Sequence, residues 1–356
     1  MILKRLVLKD FRNYRNLDIE FGGRENLILG GNGSGKTNLA EAVYLLSLAR
    51  SWRTNEEQDL VRDGSVEGSV TAYVREGNLR REILIRIGPE GKSVFLNGKP
   101  LRRLAELSKL VNVVLFSPSD VTLFQGSPSE RRAFLDMSLS KVSADYMNLL
   151  GRSNRLLKQR NALLKQSNPD KALLEVVTDQ LIQVAEPIDR YRTMYVTSLN
   201  GVLPKVLGRL RGVDASCGLV YRGFVKDDGS FAERAKKAYS EALESDLAHK
   251  STSVGIHRED FSLRIDGRDI ASRGSQGENR MAALALKLST FFLVEEETKK
   301  PICVLDDVTS ELDANHVARL LSLLKELGQS FLTATQLKLE GASVIEVARN
   351  TAARRN

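Results

Sequence analysis

Leu27-Ile28-Leu29-Gly30-Gly31-Asn32-Gly33-Ser34-Gly35-Lys36-Thr37-Asn38 reads as a short apolar strand, a glycine-rich turn and the start of a helix. The helix continues through Leu39-Ala40-Glu41-Ala42-Val43-Tyr44-Leu45-Leu46. Gly30, Gly35, Lys36 and Thr37 fit the pattern G-x-x-x-x-G-K-[ST], and the strand before and helix after are the context that pattern requires. The chemistry follows from the residue types. Glycines let successive backbone N–H groups face one concavity, and the helix N-terminus adds positive potential to it. A lysine there reaches the outer phosphates of a nucleoside triphosphate, and a threonine hydroxyl can ligate Mg²⁺. Gly30, Gly31, Asn32, Gly33, Ser34, Gly35, Lys36, Thr37 and Asn38 are therefore the expected nucleotide-binding residues, with ATP and Mg²⁺ as the expected ligands.

A second stretch completes such a site. Ile302-Cys303-Val304-Leu305 reads as a buried strand that ends in Asp306-Asp307. A carboxylate at the carboxyl end of a strand beside a phosphate loop holds Mg²⁺ through water, and this role falls to Asp306 together with Thr37. Asp307 then lies where a general base orients the attacking water. The competing reading is that the two aspartates only end a strand.

Upstream of the loop, Leu3, Leu6, Leu8, Leu17, Ile19 and Phe21 alternate as in strands, with Arg12 and Asn13 on the connection between them. Arg12 and Asn13 either contact nucleotide phosphate or base, or sit on a solvated turn. Downstream, Arg50-Ser51-Trp52-Arg53-Thr54 holds the only tryptophan. Trp52 is read as a core anchor, with base stacking beside Arg50 and Arg53 as the minority reading. Residues 68–100 read as an antiparallel meander and 101–110 as a short helix. Val111-Asn112-Val113-Val114-Leu115-Phe116 reads as a buried parallel strand.

Residues 128–200 change period. Leu149, Leu156 and Leu163 recur at seven-residue spacing, Ser167-Asn168-Pro169-Asp170 breaks the helix, and a second stripe runs Leu174, Val177, Leu181, Val184, Ile188, Tyr191, Tyr195. Two apolar stripes joined by a turn predict an antiparallel helical arm, with Pro187 expected to kink or split the second helix. Arg152, Arg155, Lys158, Arg160 and Lys165 fall within this arm with no acidic residue between them. They are either a solvated helix face or a phosphate-contacting one. In residues 200–250, Gly201, Pro204, Gly208 and Gly212 are expected to break the helical pattern, and Phe231–His249 is another helix. A strand at 261–265, a long helix from Asn279 to about Thr298 and a strand at 328–335 follow. Residues 349–356 read as a loose basic tail.

Composition limits the remaining classes. The chain has 356 residues, 42% of them hydrophobic, and a net charge of +8, which favours a polyanionic partner. It contains no apolar run of about 18 residues of the kind that spans a membrane. Met1–Leu6 lacks the features of a signal peptide, and Cys217 and Cys303 stand far apart without metal-ligand spacing. A reduced, cytoplasmic setting is expected, with no membrane partner.

The motifs together carry a family resemblance. The loop, Ser272-Arg273-Gly274, Asp306-Asp307 and Ser310-Glu311-Leu312-Asp313 resemble an ABC-type ATPase head. Within that class, Phe11-Arg12-Asn13-Tyr14, Phe116-Ser117-Pro118, the run Gly126–Asp136 and Gly255-Ile256-His257-Arg258-Glu259-Asp260 follow the RecF family pattern in order. The resemblance implies an α/β ABC-type head, a P-loop parallel sheet plus an antiparallel β lobe, with an inserted α-helical arm domain. The division would be 1–125, head with phosphate loop; 126–250, helical arm; and 251–356, head with signature, Walker B strand and D-loop. It implies that Lys36, Asp306, Asp307 and Ser272 are the catalytic set, Ser272 as the signature serine that meets the γ-phosphate of an opposite subunit. It further implies an ATP-dependent homodimer on double-stranded, gapped or single-strand/double-strand junction DNA, associated with the nucleoid. Slow, DNA-stimulated ATP hydrolysis, RecR and RecO as mediator partners, and roles in recombinational repair, replication restart and the SOS response complete the expectation. The chain departs from the pattern at Gly31, where a proline is usual, at Thr335-Gln336, where a histidine is usual, and at Asp307, where glutamate is usual. The alternative is the ATPase subunit of an ABC transporter, against which the basic charge and the inserted arm both count.

Overall fold

The computed structural model describes residues 1–102, 106–225, 229–296, 299–348 and 351–355, with the side chains of Ser310 and Glu311 also outside that description. The chain divides into two units. One comprises Met1–Val121, Lys205–Asp214 and Arg280–Asn356, the other Thr122–Pro204 and Ala215–Asn279.

The first unit opens with β1 (Ile2–Phe11) and β2 (Tyr14–Glu20), an antiparallel hairpin. After β3 (Glu25–Leu29) and α1 (Lys36–Leu48), the meander β4 (Gly68–Glu76), β5 (Leu79–Gly88), β6 (Gly91–Leu96) and β7 (Lys99–Pro100) extends that hairpin into a sheet ordered β2-β1-β4-β5-β6-β7. Strand alternation puts Leu6, Leu8, Val70, Ala72, Val74, Ile83, Ile85 and Ile87 inside. A register shift between Leu3 and Arg5 changes the phase, so Leu3 and Leu6 both face inward although they are three positions apart, an odd step. α1 is buried without interruption from Leu39 to Ser47, the mark of a helix inside a core rather than on it. Its neighbours in that core include Val70, Ile83, Val113 and Phe331, from both sheets of the unit. Trp52 packs against the same core and meets Tyr44 edge-on at 5.3 Å, which settles it as an anchor. Of the helix expected over 101–110, α2 covers Leu107–Leu110, while 103–105 lie outside the described residues. β8 (Val113–Phe116) is the expected buried strand.

The second unit is mostly helical. α3 (Pro128–Val142) starts at a reciprocal cap, where the Ser127 hydroxyl and the Glu130 carboxylate satisfy each other's backbone N–H. α4 (Ala144–Leu164) and α5 (Lys171–Arg211) are the arm hairpin. Leu156, Leu163, Leu174, Val177, Leu181, Val184 and Ile188 form its core, as their spacing predicts. α5 is one helix of 41 residues that carries Pro187 and Pro204 within it. Of the kink or split expected at Pro187, the split is corrected, as is the pattern of breaks expected from Gly201 to Gly208. A proline removes one backbone bond at about 3 kcal/mol, and the buried apolar residues on either side of each proline offset that. The helix ends at Gly212, whose φ of 75° suits glycine and whose N–H reaches the Gly208 carbonyl at 2.7 Å. β9 (Cys217–Arg222), which sequence reading left within a mixed region, pairs with β10 (Asp260–Ile265), and β11 (Arg268–Asp269) completes a small antiparallel sheet. α6 (Phe231–His249) matches expectation, and α7 (Ile270–Arg273) is a single turn.

The chain then adds α8 (Gln276–Phe292), whose residues from Arg280 onward belong to the first unit, and in that unit β12 (Ile302–Leu305), α9 (Ala314–Leu324), β13 (Ser330–Ala334), β14 (Ser343–Ala348) and β15 (Thr351–Arg354). α8 ends several residues short of the expected Thr298, which is outside the described residues. The sheet order is β15-β14-β3-β13-β12-β8, parallel except for β15. The loose tail expected at 349–356 is corrected: Thr351–Arg354 form an edge strand against β14, and 349, 350 and 356 lie outside the described residues. Parallel register aligns Leu29 with Ala334 and Leu305 with Leu332, so the glycine loop and Asp306-Asp307 leave the sheet at the same edge.

Candidate nucleotide-binding site

The loop between β3 and α1 is shaped by its glycines at two positions. Gly35 has φ +111°, and a Cβ there would stand 2.5 Å from Asn13 Nδ2 and 2.9 Å from Tyr14 Oη. Gly30 lies so close to β14 that a Cβ would stand 2.3 Å from the Val347 carbonyl oxygen. Lys36 is buried, and its ammonium donates to the carbonyls of Gly30 and Gly31, each at 2.8 Å. Ser34 Oγ is buried without a hydrogen-bond partner. A backbone too tight for side chains, a buried cation on loop carbonyls and an unsatisfied hydroxyl fit a phosphate-bearing ligand.

Asp306 is buried at the end of β12. Its Oδ1 accepts from Thr37 Oγ at 3.1 Å and from Thr333 Oγ at 2.7 Å. Burial pushes this carboxyl above the ordinary carboxylate value, Asp307 adds to the push, and the two threonine bonds oppose it. Thr333 also accepts the Asp307 N–H at 2.9 Å, and so ties both aspartates to β13. Asp307 holds φ at 50°, a left-handed conformation that costs a non-glycine residue about 1 kcal/mol and re-aims its side chain. Among the described residues no cluster of three His, Cys, Asp or Glu is placed to hold a metal. Thr37 and Asp306 alone suit a cation that takes its remaining ligands from phosphate and water, as Mg²⁺ does.

Sequence reading placed Arg12 and Asn13 near the nucleotide and missed what holds them. Glu41, on α1, has a fully buried side chain that receives Arg12 through two bonds and Arg53 at 3.2 Å, with Ser51 Oγ as a further donor. Arg53 also donates to Asn38 Oδ1 at 2.7 Å, Asn38 donates to Asn13 Oδ1 at 2.7 Å, and Asn13 Nδ2 reaches the Ser34 carbonyl at 3.4 Å. A continuous polar chain thus runs from Glu41 to the loop. The signal was an isolated glutamate inside an otherwise apolar helix, which has to be paired.

In the second unit, Ser272 is exposed on α7. Asn279 fixes that turn: its Nδ2 reaches the carbonyls of Ile270, Gly274 and Ser275 at 3.1, 3.2 and 3.0 Å, and its side chain is fully buried. Gly274 is required there, because a Cβ would stand 2.6 Å from the Ile270 carbonyl. Asp313, from the expected D-loop segment, caps α9 through the N–H groups of Asn315 and His316.

The model of the RecF/RecN/SMC N terminal domain family matches residues 2–349. The DNA replication and repair protein RecF of Lachnoclostridium phytofermentans is 36% identical over 343 residues, covering 95% of this chain and 94% of that protein. RecF of Oenococcus oeni is 37% identical over 353 residues, with 95% and 94% covered. This chain belongs to the RecF family. The solved structure of the recombination mediator protein RecF-ATP in the RecFOR pathway superposes with a TM-score of 0.91 at 33% identity, covering 99% of this chain and 97% of the other. An Smc head domain from Pyrococcus furiosus gives a TM-score of 0.59 at 18% identity, covering 99% of this chain and 95% of that one, and shares the fold alone. The α/β ABC-type head with an inserted helical arm is thereby established. No helix among the described residues is long and apolar enough to cross a membrane.

The two motifs that single out RecF meet in one network of the second unit. Arg131, from the Gly126–Asp136 run, pairs with both carboxylate oxygens of Asp260, at 2.7 and 3.0 Å, and Arg132 donates to the Glu259 carbonyl at 2.8 Å. Asp136 accepts from the buried Arg192, which also binds the Glu259 carboxylate and the Ile256 carbonyl. Burial pushes the Glu259 carboxyl above its ordinary value, against the pull of Arg192. Gly255 turns at φ +125° beneath Tyr239. These motifs therefore join α3, α5 and β10 within the second unit.

Proposed function

We propose that this chain is a DNA repair ATPase in which ATP acts as a switch for homodimerisation on DNA. The observation that carries the reading is the convergence of Lys36, Thr37, Asp306 and Thr333 at one edge of the parallel sheet. Lys36 exchanges its two carbonyl partners for phosphate oxygens. Thr37 and Asp306 would hold Mg²⁺, which would supply neutralisation of the developing phosphate charge. Asp307 orients the attacking water, and a side chain one methylene shorter than glutamate holds it less well, in keeping with slow turnover. Ser272, exposed and locally fixed, closes on the γ-phosphate of an opposite subunit, so ATP affinity and dimer affinity are coupled.

The family's repair and replication role supports gapped or junction DNA as the polyanion that the +8 charge favours. The RecFOR pathway of the solved relatives supports RecO and RecR as partners in recombinase loading. Sedimentation with and without ATP and gapped DNA tests the reading. ATP should shift the chain to a dimer and raise its DNA affinity, and Lys36→Ala should abolish both. ATP-dependent DNA retention by Lys36→Ala would remove the switch.

A further inference from the structure

Of the five basic residues in the arm, the structure separates one from the others. Arg160 is buried, donating to Asp246 at 2.7 Å and Thr252 at 2.8 Å. Arg152, Arg155, Lys158 and Lys165 stay exposed, and none is ion-paired among the described residues. At 100° per residue the four fall within an arc of about 140° on α4 and its C-cap. The buried residues Tyr146, Ser153, Leu156, Arg160, Leu163 and Leu164 centre on the opposite side of the helix. From Arg152 to Lys165 the stripe spans about 20 Å at 1.5 Å per residue.

The neighbouring helices of the same unit do not neutralise it. Glu175 and Asp179 on α5 face Lys236 of α6, at 3.6 and 3.9 Å, Glu186 faces Arg190, and Glu241 faces Lys237. These acids of α5 and α6 are engaged by cations of the same two helices, and among the described residues none of them pairs with the four cations of α4. Four like charges on one helix face repel one another, a cost recovered only against a polyanion.

We infer that the outer face of α4 is a phosphate-backbone track for duplex DNA, with Arg152, Arg155, Lys158 and Lys165 as its contacts. The inference rests on the DNA-binding reading above. Positive charge along a helix edge of about 20 Å whose only aromatic residue, Tyr146, is buried suits the repeating charge of a duplex more than unstacked bases.

Salt dependence tests it. Each phosphate neutralised contributes about −0.9 to the slope of log affinity against log salt. The full-length chain with Arg152→Gln, Arg155→Gln, Lys158→Gln and Lys165→Gln should bind labelled duplex DNA, in ATP, with that slope shallower by about three to four. ATP affinity and thermal midpoint should be unchanged, because no buried group is altered. A second chain with Arg152→Lys and Arg155→Lys keeps the charges and should keep the slope. An unchanged slope in the glutamine variant, with the parent chain binding DNA normally, overturns the track alone and points the stripe toward an acidic protein. A parent chain that binds no DNA overturns both the track and the reading beneath it.

Discussion

Arg12 and Glu41 close a two-point ion pair, Nε to Oε2 and Nη2 to Oε1, each at 2.8 Å, around a carboxylate with no exposed side-chain surface. The pair joins the β1–β2 turn to the helix that the phosphate loop caps. Glu41→Gln keeps the shape and removes the charge, leaving Arg12 and Arg53 without their counter-ion. Removal of one partner from a buried pair costs about 3 kcal/mol. Urea unfolding should show a loss of that order, and ATP affinity should fall with it, because Arg53 then no longer holds Asn38 and Asn13 against the loop. An unchanged midpoint would mean that the two arginines are held by other contacts.

Asp246→Ala strands Arg160 inside the arm. The pair is almost wholly buried on both sides, so the loss should again be about 3 kcal/mol or more. Asp246→Ala combined with Arg160→Met should recover much of it, since a buried pair is often replaceable by apolar packing. Differential scanning calorimetry on the two variants measures the difference, and equal destabilisation would contradict it.

Arg160 also shows where sequence reading stops. The glycine loop, the strand before Asp306 and the arm's apolar stripes were legible because each is a local pattern with a fixed period or spacing. Arg160 belonged to a basic run in sequence, and only the return of α6 and Thr252 to α4 reveals its partner. Thr333 was equally silent: it lies in an ordinary strand, and its role comes from the parallel register that sets it between Asp306 and Asp307. At Pro187 local propensity allowed the helix to split in two, and tertiary burial keeps it continuous. The edge strand at Thr351–Arg354 exists only because β14 offers a partner.

Thr333→Val should damage the site without damaging the fold broadly. Asp306 loses its shorter hydrogen bond, and the Asp307 N–H loses its acceptor, an unsatisfied group worth about 1–3 kcal/mol. Mg²⁺-dependent ATP turnover should fall, and Thr333→Ser should restore it by returning the hydroxyl. Equal turnover in the valine and serine variants would remove Thr333 from the site.

His257 predicts an acid sensitivity. Its Nε2 donates to the Thr252 carbonyl at 3.1 Å, while burial first, and Arg258 and Arg132 after it, hold its pKa below the ordinary 6.5. The unfolded chain therefore takes up a proton near pH 6.5 that the folded chain refuses. Stability present above pH 6.5 is lost as pH falls toward the folded value, and no more is lost below it. His257→Gln should flatten this part of a stability-against-pH curve measured by denaturant unfolding. An identical slope in both proteins would assign the sensitivity elsewhere.

Ser272→Arg separates assembly from nucleotide binding. Ser272 is exposed, and the turn that presents it is held from inside by Asn279, so a large cation at 272 alters no buried bond. Unfolding and monomer ATP affinity should match the parent chain. ATP-driven dimerisation, followed by sedimentation, should be lost, because the arginine occupies the surface that the proposed γ-phosphate contact requires. Asn279→Ala is the complementary variant: it releases three carbonyls, so stability and dimerisation should fall together. If Ser272→Arg dimerises as the parent does while Asn279→Ala does not, the turn matters for the fold and the serine has no cross-subunit role.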